Sequence, residues 1–125
     1  MWAARHNTLT GEYAIMKTQV LDTLFSARTA VSTLIINLSP TTPGEVSLMN
    51  SLMQRRDALT GAINQTIEQT FNDLAPGLDK AEADLQAQTT KLTQLSTTLP
   101  SITQAISFVD SIVQAVGNIL KLAGT

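Results

Sequence analysis

The chain contains no cysteine and a single histidine, His6. The first absence excludes disulfide scaffolds, thiolate metal sites and cysteine nucleophiles. The second removes the paired Glu-x-x-His ligands of a di-iron or di-manganese bundle. His6 also precedes the helical pattern, so a histidine-ligated haem has no support. Charge is scarce as well: charged residues make up 14% of the chain, and the net charge is −2 with the signs scattered. Without a basic surplus to neutralise phosphates, nucleic acid is not an expected partner. The glycines are isolated and form no phosphate-cradling loop, and no serine has a histidine to activate it. The carboxylates Asp79, Glu82 and Asp84 fall beside Lys80 on a stretch that reads as solvated, whereas acid–base chemistry needs an enclosed carboxyl. The expectation is a protein that is not an enzyme, with no cofactor and no metal.

Residues following Met1 lack the apolar core of a secretory signal. The most apolar stretch, 102–122, is interrupted by Gln104, Asp110, Gln114, Asn118 and Lys121, which reads against a membrane span. On this reading neither signal peptide nor transmembrane helix is visible, and the compartment is cytoplasmic by default.

What the chain does have is apolar periodicity. Hydrophobic residues are 43% of its 125 positions, enough for one core. They recur at three and four residues, not at two, which predicts helices and no strands. Prolines at 40 and 43, 76, and 100 mark the breaks, because proline removes a helical donor and clashes with the preceding turn. The predicted helices are 8–38, 43–74, 76–98 and 100–122. Residues 1–7 are read as a flexible tail, and 8–123 as one bundle domain. Thr42-Pro43-Gly44-Glu45 is a capping box with proline at the first helical position. Leu78, Ala81, Leu85, Gln88, Leu92 and Leu95 follow the 3-4 spacing of a coiled-coil seam. These patterns predict an all-α, antiparallel four-helix up-down-up-down bundle with a longer first hairpin. The alternative is a three-helix arrangement whose long last helix is kinked at Pro100.

Helix lengths supply the site hypothesis. The first two segments span about 31 residues, near 46 Å, and the last two about 22, near 33 Å. If short loops make all neighbours antiparallel, the first hairpin projects about 10–15 Å beyond the rest. That tip carries Val31, Leu34, Ile35, Ile36, Leu38, Val46, Leu48, Met49 and Leu52, an apolar surface fit for a partner. Below it, Arg28, Arg55 and Arg56 read as a basic collar for docking an anion or partner, unless Asp22, Asp57 or Asp110 neutralises them. The expected function is a non-catalytic interaction or assembly module that self-associates through the tip. An external protein partner, a membrane-interacting bundle and a small-ligand sensor bundle are the alternatives. For the last, Gln88, Thr60 and Arg56 are the polar candidates within the stripes.

Overall fold

The computed structural model describes residues 2–96 and 102–124, with side chains from Ile15 onward. Its elements are α1 (Trp2–Asn37), α2 (Pro43–Glu68), α3 (Leu78–Ser96) and α4 (Ile102–Ala123). They form an antiparallel up-down-up-down four-helix bundle. α1 begins six residues before the expected boundary at Thr8. α2 starts where the cap predicts: Thr42 accepts a hydrogen bond from the Glu45 amide at 3.2 Å and donates to the Glu45 carboxylate at 3.0 Å. The bend at Pro100 lies outside the described residues. The helices flanking it are antiparallel neighbours, so the chain reverses between them and the single kinked helix is excluded.

α2 is shorter than its apolar pattern, ending at Glu68 and not at residue 74. Gln69 turns to an extended backbone (φ −77, ψ 135), and the Lys17 ammonium donates to the carbonyls of Ile67 and Gln69. A continuing helix would need the Ile67 carbonyl for the Phe71 amide; a cation from α1 takes it instead. Phe71 and Ala75 are then buried under the base of the bundle. The Asn72 amide donates to the Ala123 carbonyl at 2.9 Å, tying the loop to the end of α4.

That loop, 69–77, sets the neighbour order. α1 packs beside α2 and α3, and α4 beside α2 and α3, which leaves α2 and α3 on a diagonal. Two antiparallel hairpins therefore lie side by side, with α1 parallel to α3 and α2 parallel to α4. This differs from the arrangement in which all neighbours are antiparallel. One core runs through the middle, with Val20, Leu24 and Val31 of α1, Leu52 and Leu59 of α2, Leu85 and Leu92 of α3, and Val109, Ile112 and Ile119 of α4.

α4 overturns the expectation that no transmembrane helix is visible. It is 22 residues long with a mean hydropathy of 1.3 over its most apolar window, long and apolar enough to cross a membrane. The polar interruptions lie mostly on one exposed face and include only two charges, Asp110 and Lys121, so they lower the average little. The cytoplasmic default goes with it.

Candidate functional site

With α2 ending at Glu68, α3 and α4 reach closer to the bend at 38–42 than the expected helix lengths allow. Arg55 of α2 reaches Asp110 of α4, so Ile102, eight residues earlier, lies about level with residue 47. On α3, Thr93 and Ser96 line a hollow together with Thr29 and Thr33 of α1. Only about one turn of the first hairpin stands clear, near 5 Å where 10–15 Å was expected.

The nine apolar tip residues accordingly divide. Val31, Leu34, Met49 and Leu52 are buried by their own chain and leave the surface, a correction to the expected tip. Ile35 and Leu38 are half-buried against the core. Val46, Leu48 and Ile36 are exposed, Ile36 by 80%. Met53, one heptad after Val46 on the same face of α2 and outside the expected tip, is exposed too. What remains is a smaller apolar cap around the bend, built from the last turn of α1 and the start of α2. The nearest carboxylate, Glu45, is engaged by Thr41 and Thr42.

The basic collar disperses. Arg55 pairs with Asp110 at 2.9 Å on the α2–α4 seam. Arg28 turns to the α1–α2 seam, where it donates to the Thr60 hydroxyl at 3.4 Å and lies 5.1 Å from the Phe25 ring centroid. Arg56 is half-buried, with no ion pair among the described residues. The three guanidinium groups do not converge on one anion.

Thr60 donates to the Arg56 carbonyl of its own helix, and Gln88 is half-buried on the flank of α3. The buried polar positions of α3 are instead Glu82 and Thr89, one residue further round than the seam positions Ala81 and Gln88. Among the described residues no group of three or more His, Asp or Glu side chains is gathered to hold a metal. A run of hydroxyl and amide side chains also lies between α1 and α3, among residues not expected to form a site. The spacing of Thr23, Ser26, Ala30 and Thr33 on α1 was its only signal.

Comparison with family models, with curated proteins and with solved structures finds no match to this chain.

Proposed function

We propose that the protein is a non-catalytic helical assembly module whose copies associate through the apolar cap at the bend. The observation that carries this reading is Ile36, 80% exposed, grouped with exposed Val46 and Leu48 at the same end of the molecule. Isolated exposed leucines are ordinary; a cluster at one end with its only nearby carboxylate tied into a helix cap is not. A second copy suits it because a two-fold contact sets a patch against itself, and an uncharged patch meets no like-charge penalty there. Sedimentation at micromolar concentration tests this. The expected mass exceeds the 13.4 kDa of one chain, and Ile36→Glu returns it to that value with helicity unchanged. A wild-type chain that stays monomeric throughout the range refutes the proposal.

The apolarity of α4 favours a second reading, insertion into a membrane, and flotation with vesicles tests it. It competes with the bundle itself, because the face of α4 that would enter lipid supplies the core.

A further inference from the structure

The helix that stands clear of the bundle lies at the end opposite the bend, at the start of α1. The Lys17 ammonium reaches the carbonyls of Ile67 and Gln69, so α2 ends level with Lys17. Thr23 and Gln86 line one hollow, so α3, which begins eight residues before Gln86, starts about level with Ile15. α4 ends at the same base, where Leu122 lies beside Gly77. α1 nevertheless begins at Trp2. Residues 2–14, about 20 Å of helix, extend below the base with none of the other three helices alongside.

The core stripe of α1 continues into this free segment. Trp2, His6, Leu9, Tyr13 and Met16 are spaced by alternating fours and threes, and Met16 packs against the core. In heptad terms Trp2 and Leu9 fall at d, and His6 and Tyr13 at a. The only Lys, Arg, Asp or Glu residues of 2–13 are Arg5 and Glu12, which fall at successive g positions. A short helix with an apolar seam is marginal alone and is stabilised by packing that seam on another helix.

The geometry selects a second copy, and it selects one register. Parallel pairing sets both bundle bodies at the same end of the seam, where they collide. Antiparallel pairing opposes a with d, in registers seven residues apart. One register sets Trp2 opposite Val20, inside the bundle, and brings Glu12 against Glu12. Another overlaps only residues 2–6 and brings Arg5 against Arg5. The register between them sets Trp2 opposite Tyr13 and His6 opposite Leu9, four layers that stop at the base. Its g positions place Arg5 across from Glu12 of the second copy, twice by symmetry.

We propose that two copies join base to base through an antiparallel coiled coil of residues 2–13, with Arg5 set against Glu12 at both ends. The overlap is only about 17 Å long. So small a contact is weak and closes at concentrations on the order of 100 μM, above the micromolar range that reads the cap. It stands whether or not the cap associates.

Sedimentation of Ile36→Glu, which removes the cap contact at an exposed position, tests the base contact by itself. Between micromolar and about 1 mM the mass is expected to rise from 13.4 kDa toward twice that value. Trp2 is the only tryptophan, so its emission should shift to the blue over the same range as the seam covers the indole. In this background Arg5→Glu opposes two carboxylates and is expected to weaken association by about tenfold or more. Adding Glu12→Arg reverses the pair and should restore it, with circular dichroism confirming the fold of each variant. The proposal is overturned by a mass that stays at 13.4 kDa, or by a rise in mass with Trp2 emission unmoved. Unchanged association of Arg5→Glu, or no recovery in the charge-reversed double variant, overturns it equally.

Discussion

Lys17 shows how one side chain can set the length of a distant helix. Its ammonium sits on the carbonyls of Ile67 and Gln69, fifty residues away, where a helix C-terminus carries unsatisfied acceptors and negative potential. Lys17→Met keeps most of the stem and removes the charge. It is expected to lower unfolding stability by about 1 kcal/mol in urea titration, the scale of a cation at a helix end. Gly77 is the complementary case, with a φ of +82 at the start of α3. A Cβ there would meet Leu122 at an ordinary 3.8 Å. The cost of Gly77→Ala therefore comes from the backbone alone, roughly 1–2 kcal/mol, and the same titration checks it. These two differ in legibility. Gly77 follows a proline and announces a break, and Thr42 with Glu45 announces a cap, because both act within a few residues. Nothing local to Lys17 says that it will reach α2.

At the scale of elements, the early end of α2 undid the expected overhang. Stopping six residues before residue 74 removes about 9 Å of helix, most of the predicted projection. The apolar stripe gave no warning, since Phe71 fits it in phase. Its ring is buried all the same, but from a loop that passes beneath the core, and the stripe continues without the helix. Phe71→Ala should open a void at the base and cost about 3 kcal/mol, visible as a lower denaturation midpoint with little loss of helical signal. By contrast Leu74, three residues on, is 81% exposed, so Leu74→Ala should change stability by only a few tenths of a kcal/mol. Phe71 and Leu74 both continue the three-and-four spacing of Ile63 and Ile67; only the position of the loop separates them. α3 teaches the same lesson in rotation. Leu78, Leu85 and Leu92 lie in the core as the seam predicts, but Glu82 and Thr89 accompany them in place of Ala81 and Gln88. A helix with a parallel neighbour on one side and an antiparallel one on the other turns a face that a single seam does not describe.

For the molecule as a whole, the question is whether α4 and the apolar cap can both act. Helix number and direction were legible from prolines and spacing, whereas the diagonal crossing was not, because a loop of nine residues can reach either neighbour. The crossing has a consequence: α4 is held at its end by the Asn72 amide, along its length by Arg55, and through its core face by Val109, Ile112 and Ile119. Insertion of α4 into lipid must break all three and expose the remaining core, so it competes directly with folding. Docking of the cap leaves the bundle intact. The two routes to a membrane consequently respond in opposite ways to mutation. Leu52→Ala, a core truncation expected to cost about 3 kcal/mol, should increase flotation with vesicles if α4 inserts and leave it unchanged if the cap docks. Ile36→Glu should abolish flotation by the cap and leave insertion of α4 untouched. If copies of the chain associate through the cap instead, wild type and both variants stay with the aqueous fraction, and Ile36→Glu alone lowers the sedimenting mass.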